Sequence, residues 1–172
     1  MENFNPTKYT LKCVATEREF NDDGWHLDDH ECKSPSLIRA EYAKKQIEVG
    51  SDDNGLYKFA DWLPVKRILR GSSAPVTYKS EALAKHLGLS NLWITLSGYA
   101  PEKGVKMTTC SFKETEAYSV CARIDENEDR VMVVASAGNT ARAFAKVCSE
   151  NNIKLLLAVP SDNLSSLWFT EP

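Results

Sequence analysis

Two short segments of the sequence carry side chains that could do chemistry on a bound small molecule. The first is centred on Lys113, which follows Ser111 and Phe112 and precedes Glu114. Ser111 and Glu114 have the spacing of a capping box, so Lys113 should lie in the first turn of a helix. The positive end of a helix dipole disfavours an ammonium there and favours the neutral amine that imine formation requires. The alternative is an ordinary solvated lysine on a helix surface.

The second segment is the loop Ser136-Ala137-Gly138-Asn139-Thr140, which follows an apolar run and precedes an amphipathic one. A loop between a strand and a helix can point several backbone N–H groups at one anion, such as a carboxylate. Gly138 would let that ligand approach the backbone closely. The alternative is an ordinary strand-to-helix turn in which Asn139 or Thr140 caps the helix.

Regular elements are predicted around both segments. Apolar residues at helical spacing extend the Lys113 helix as far as Ile124. Arg130 to Ala135 is predicted as a buried strand, Ala141 to Glu150 as an amphipathic helix, and Lys154 to Pro160 as another strand. A strand, a helix and a strand in this order form a βαβ unit, which implies that the two strands are parallel.

The first part of the chain is predicted to be rich in β-structure, and residues 1–54 should form a small β-rich extension. The elements predicted before Lys113 are strands at Tyr9–Thr16 and Ser36–Tyr42, a turn at Asn21–Gly24, a helix from Ser80 that stops at Gly88, and a strand from Asn91 to Leu96.

The bulk composition restricts the class of protein. A net charge of -3 with 26% charged residues lacks the basic character of a nucleic-acid-binding protein. No apolar run approaches the roughly 18 residues of a membrane span. The segment Met1 to Thr7 is polar, without the apolar centre of a signal peptide. We therefore expect a soluble, cytoplasmic protein that binds neither nucleic acid nor membrane.

Cysteine usage indicates a reducing compartment, because the five cysteines are odd in number and widely spread. Cys13, His26, His30 and Cys32 could be assembled into a zinc site. Cys13 is followed by Val14 and then by no nearby second cysteine, so the Cys-x-x-Cys pair of such a site is missing. We predict no metal site.

Together the two segments resemble the fold-type II pyridoxal-phosphate enzymes. Ser111-Phe112-Lys113 matches their Schiff-base motif, and the loop from Ser136 to Thr140 matches their asparagine loop, in the same order and at the same spacing. Residues 9–13, 55–64 and 87–93 are similar to threonine synthases, so the resemblance is to the threonine synthase-like group. It implies an α/β fold of open parallel sheets with helices, as in the tryptophan synthase β chain.

The resemblance also implies domains and residue roles. Residues 55–125 would begin the large cofactor domain, and residues 126–172 would begin the smaller substrate domain. Lys113 would hold pyridoxal 5'-phosphate as a Schiff base and shuttle a proton, while Asn139 would hydrogen-bond the ring hydroxyl. The amides from Ser136 to Thr140 would bind the substrate α-carboxylate. A homo-oligomer is implied as well.

Within this group, several departures from threonine synthases resemble the cysteate synthase family. Thr108-Thr109-Cys110 precedes the lysine motif, Glu114-Thr115-Glu116-Ala117 follows it, and Ser73-Ala74-Pro75 stands where threonine synthases have Gly-Thr-Pro. The resemblance implies a β-replacement that forms L-cysteate and phosphate from O-phospho-L-serine and sulfite, in coenzyme M biosynthesis.

Both of these substrates are anions, so a site for them needs cations or helix amides. Lys103, Lys106 and Arg142 are the candidates. Arg142 falls in the first turn after the asparagine loop, where a cation opposes the helix dipole and calls for an anionic partner. The alternative for Arg142 is a solvated surface arginine.

Two other interpretations stay open. One is threonine synthase or another β-replacement enzyme that uses pyridoxal phosphate. The other is a non-catalytic fragment or binding module, because the family's glycine-rich phosphate loop has no counterpart in these residues. The few predicted strands of a parallel sheet also indicate a truncated chain. We expect the chain alone to have little activity and to hold the cofactor poorly.

Overall fold

The computed structural model describes residues 7–23 and 26–168, except for the side chains of residues 52 and 53. Two compact units form: Met1–Ile68 with Ser119–Glu128, and Leu69–Tyr118 with Asp129–Pro172. The division of the chain at residues 54 and 125 stays a prediction. The polar start at residues 1–6 and the last residue of the predicted turn, Gly24, lie outside the described residues.

The first unit contains a three-stranded antiparallel sheet. Strand β1 (Tyr9–Cys13) pairs with β2 (Glu19–Phe20) on one side and with β3 (Ile38–Tyr42) on the other. Leu11 and Cys13 point into the core because alternate residues of a strand share one face. The β-rich start is therefore confirmed, with strands shorter than predicted. A 3-10 helix follows at Asp52–Trp62 and buries Leu56 and Tyr57.

The second unit begins with two antiparallel strand pairs. Strand β4 (Val76–Lys79) pairs with β5 (Trp93–Leu96), and helix α1 (Glu81–His86) lies between them in the chain. The predicted helix stop is confirmed, since Gly88 has a φ of +68°, which L residues rarely adopt. Strands β6 (Tyr99–Ala100) and β7 (Val105–Lys106) flank a 3-10 turn at Pro101–Lys103.

The later elements carry the two segments with chemistry. Helix α2 spans Lys113–Cys121, strand β8 spans Met132–Ala135, helix α3 spans Asn139–Glu150 and strand β9 spans Leu155–Ala158. Strands β8 and β9 are parallel, with Met132 opposite Leu155, which confirms the predicted βαβ unit. The apolar face of α3 is buried, as its helical spacing predicts.

The chain therefore has a mixed α/β fold built from small sheets. Among residues 7–23 and 26–168, the only parallel strands are β8 and β9. The open parallel sheets of the fold-type II arrangement stay a prediction. In the described part of the chain, no helix is long and apolar enough to cross a bilayer. All five cysteines are free thiols, and Cys13, Cys121 and Cys148 are buried.

Candidate active site

Lys113 is the first residue of α2, as predicted. Its backbone N–H donates to Ser111 Oγ at 3.2 Å, and the Glu114 N–H donates to the Ser111 carbonyl at 3.0 Å. Ser111 therefore caps the helix. The Lys113 amine lies 2.5 Å from Glu116 Oε2 one turn later, and 33% of the lysine side chain is exposed. The amine is accessible, and its ion pair is half-exposed and easily broken.

The predicted capping box is wrong in its second half. Glu114 does not reach back to Ser111; its Oε2 accepts hydrogen bonds from the Thr109 N–H at 3.0 Å and from the Thr109 hydroxyl at 2.8 Å. The Glu114 side chain is fully buried. A buried carboxylate needs strong partners, and Thr109 supplies two where the helix cap would supply one. Glu114 therefore fixes the turn that precedes the lysine motif.

The asparagine loop follows β8 as predicted, but its last two residues, Asn139 and Thr140, already belong to the first turn of α3. Asn139 begins α3 and Gly138 is its N-cap, so the Gly138 carbonyl accepts the Arg142 N–H at 3.2 Å. The first N–H groups of a helix have no partner within it, and they point out beyond the helix start. A Cβ built on Gly138 would meet no atom within 4 Å. Open space therefore adjoins these amides.

Arg142 fixes the orientation of the Asn139 amide. Its Nη2 donates to Asn139 Oδ1 at 2.5 Å, and its guanidinium carbon lies 3.8 Å from the ring centroid of Trp168. A guanidinium can only donate, so the asparagine atom that faces it must be the oxygen. Asn139 Nδ2 is thereby turned away from Arg142. Arg142 is only 8% exposed, so the alternative of a solvated surface arginine is wrong.

The other two predicted cations lie elsewhere in the second unit. The Lys103 amine lies 4.8 Å from the ring centroid of Tyr78 on β4. The Lys106 N–H donates to Ser73 Oγ at 3.3 Å, and both lysines are exposed. These contacts bring neither lysine to Lys113 or to the asparagine loop. Their role toward an anionic substrate stays a prediction.

Over most of its length the chain matches proteins named cysteate synthase. It is 43% identical to the one from Methanosarcina mazei and 48% identical to the one from Methanococcoides burtonii, over 95% of this chain in each case. It is 43% identical to the one from Methanospirillum hungatei over 96% of this chain. The chain is a relative of the cysteate synthases. The resemblance found in the sequence is therefore confirmed.

The cysteate synthase match includes both segments with chemistry, because a match over 95% of the chain leaves too few residues to omit either. The chain spans about 38% of the length of these relatives. No family model matches the chain, and no solved structure does. The likeness of this chain to the cysteate synthases therefore rests on sequence identity and not on a comparison of structures.

The sequence patterns do not predict a partly buried polar cluster that lies between α2 and α3. The Lys146 amine lies 2.8 Å from the Tyr118 hydroxyl, 3.1 Å from Glu150 Oε2 and 3.4 Å from Glu114 Oε1. Spacing alone relates Lys146 to Glu150, one turn later, and indicates an exposed pair. Nothing local indicates that Lys146 also faces Glu114, because those two residues meet only through packing of the helices.

Proposed function

We propose that Lys113 and the asparagine loop form part of a β-replacement site that uses pyridoxal phosphate and makes L-cysteate and phosphate from O-phospho-L-serine and sulfite. The observation that carries this proposal is 40–48% identity to proteins named cysteate synthase, over a length that includes both segments. A cytoplasmic, homo-oligomeric enzyme is part of the proposal.

The chemistry of the available groups fits this cofactor and substrate. An accessible primary amine suits an aldehyde, and an amide with its oxygen already engaged suits a hydroxyl oxygen that needs a donor. The open space at Gly138, beside the first amides of α3, suits a carboxylate. When bound, pyridoxal phosphate supplies the electron sink that makes the substrate α-proton acidic.

Each residue then has a defined task. Lys113 Nζ would hold the cofactor at its aldehyde carbon and, when its amine is free, would move the proton of the substrate Cα. Asn139 Nδ2 would donate to the ring hydroxyl oxygen of the cofactor. The backbone amides from Ser136 to Thr140 hold the substrate carboxylate, and Arg142 adds positive charge beside them.

The reaction exchanges one bond at the substrate Cβ. The Cβ–O bond of O-phospho-L-serine breaks and phosphate leaves; the sulfur of sulfite then forms the new Cβ–S bond. Both the leaving group and the nucleophile are anions, so the site needs positive charge at this carbon. Lys103 and Lys106 are the further cations proposed for it.

A product assay on the whole protein tests the proposal. With pyridoxal phosphate present, O-phospho-L-serine plus sulfite should give cysteate and phosphate in equal amounts, and Lys113→Arg should give neither. The parallel reaction offers O-phosphohomoserine and water. Threonine in that reaction, with no cysteate in the first, would replace the proposal with a threonine synthase.

A further inference from the structure

The two groups proposed to touch the cofactor both sit at helix starts. Lys113 is the first residue of α2, and Asn139 is the first residue of α3. A helix start moves as a unit with its helix, so the distance between these two side chains depends on how α2 and α3 are held together. A polar cluster of Glu114, Tyr118, Lys146 and Glu150, in which Glu114 and Tyr118 are buried and Glu150 is exposed, joins these two helices.

Glu114 connects this cluster to the lysine motif. It is adjacent to Lys113 in the chain, and its Oε2 holds Thr109 by two hydrogen bonds. Cys110 lies between Thr109 and Lys113 in the chain, and its φ of 52° is uncommon for a residue with a side chain. A turn with such a residue needs external restraint, and the Glu114 carboxylate supplies it at Thr109.

Lys146 connects the same cluster to the asparagine loop. It follows Asn139 by seven residues, which is about two helical turns, so the two residues share one side of α3. Its amine is within ion-pair distance of Glu114 Oε1, at 3.4 Å, and only 13% of its side chain is exposed. Glu114 Oε1 has no hydrogen-bond partner among the described residues, so Lys146 is its counter-charge.

We propose that the Glu114–Lys146 ion pair is a positioning device that sets the place of Lys113 relative to Asn139. Neither residue touches the cofactor; each acts through the helix start beside it. A fully buried carboxylate restricts where its charged partner can lie, because it is energetically unfavourable to separate two charges that have little access to water. The functional part of this inference rests on the proposed function.

The test measures the apparent dissociation constant of pyridoxal phosphate from the visible band of the lysine-bound cofactor, using the whole protein with Lys113→Arg as the blank. Asn139→Ala is introduced alone and in Lys146→Met, Glu114→Gln and Lys154→Met. Lys154 is the matched control, because it is an exposed lysine that pairs with Asp129.

Asn139→Ala should weaken cofactor binding about fivefold in the original whole protein and in the Lys154→Met background. In the Lys146→Met and Glu114→Gln backgrounds, Asn139→Ala should weaken cofactor binding by less than about twofold, because the two helix starts no longer hold their relative position. Equal losses of cofactor affinity in all four backgrounds would overturn the inference. An ion pair that only stabilises the fold would lower stability without changing the loss of affinity that Asn139→Ala causes. Glu114→Gln keeps acceptors for Thr109, so it decides the question if Lys146→Met does not fold.

A second readout separates this inference from the proposed function. If the whole protein shows no band that depends on Lys113, the proposed function fails. Hydrogen exchange at residues 108–115 then tests the device without any cofactor. Lys146→Met should speed that exchange about fivefold while Lys154→Met leaves it unchanged. Unchanged exchange in Lys146→Met would reject the ion pair as a restraint on the lysine motif.

Discussion

At the scale of single residues, the sequence predicts which elements carry the candidate site residues. It does not predict the directions in which their side chains point. The cap at Ser111 is a local pattern, so it correctly predicts Lys113 in the first turn of a helix. The partner of Glu114 is not the one that the capping pattern predicts, because burial of its carboxylate favours Thr109 over the helix cap. The amide orientation of Asn139 likewise depends on Arg142 and on the stacking of Arg142 against Trp168.

Asp29 in the first unit provides a test of electrostatics at one residue. Hydrogen bonds from the Arg18 guanidinium are the main cause that lowers the pKa of Asp29 to about 2, from an ordinary 3.8. Because the folded state has the lower pKa, the stabilisation is complete above about pH 4 and is lost as the pH falls toward about 2.

Replacement of Asp29 by asparagine should therefore lower the Tm at neutral pH, and the difference from the original chain should shrink between about pH 4 and pH 2. Thermal unfolding followed by circular dichroism measures both proteins across this range. A difference in Tm that stays constant down to pH 2 would show that the Asp29 carboxylate is not held in its charged form by Arg18.

At the scale of elements, periodic patterns are sufficient where partners are close in the chain. The βαβ unit follows from two apolar runs around one amphipathic helix, and β8 and β9 pair as expected. Strand β4 was not predicted, because its antiparallel partner β5 lies beyond α1 and no turn motif joins the two strands. The 3-10 helix at Asp52–Trp62 is interrupted at Gly55, and a periodic apolar pattern does not predict such a break.

The loop between β8 and α3 supports a prediction about its glycine. Gly138 has a φ of -137°, outside the left-handed region, and open space at its Cβ position, so a methyl group added there has room. The added methyl group would occupy the space proposed for the substrate carboxylate. We expect Gly138→Ala to change the free energy of unfolding by less than about 0.5 kcal/mol. It should weaken binding of O-phospho-L-serine to the cofactor-loaded whole protein about tenfold.

Gly88→Ala is the matched control for that experiment. Its Cβ position is equally open, but its φ of +68° makes alanine unfavourable by about 1 kcal/mol. This variant should lose stability and keep its affinity for O-phospho-L-serine, as followed by urea unfolding and by calorimetric titration. Full affinity in Gly138→Ala would show that the carboxylate does not bind at the start of α3.

At the scale of the whole chain, some contacts join residues that are far apart in the sequence. Sequence patterns do not predict these contacts. In the first unit, Asp22 Oδ1 accepts from Arg123 Nη2 at 2.7 Å, and the Lys66 N–H donates to the Ala122 carbonyl at 2.9 Å. Such contacts join Ser119–Glu128 to Met1–Ile68, although the two segments are far apart in the sequence. No periodic pattern encodes them, whereas the identity to cysteate synthases spans both segments.

The proposed function depends most on which side chain bonds to pyridoxal phosphate. The whole protein is mixed with less than one equivalent of the cofactor, reduced with borohydride and digested for peptide mapping. Lys113 should carry most of the label, and Asn139→Ala should lower that share without raising the label on Lys103. A label spread evenly over exposed lysines, or found on a lysine other than Lys113, would show that Lys113 is not the residue that holds the cofactor.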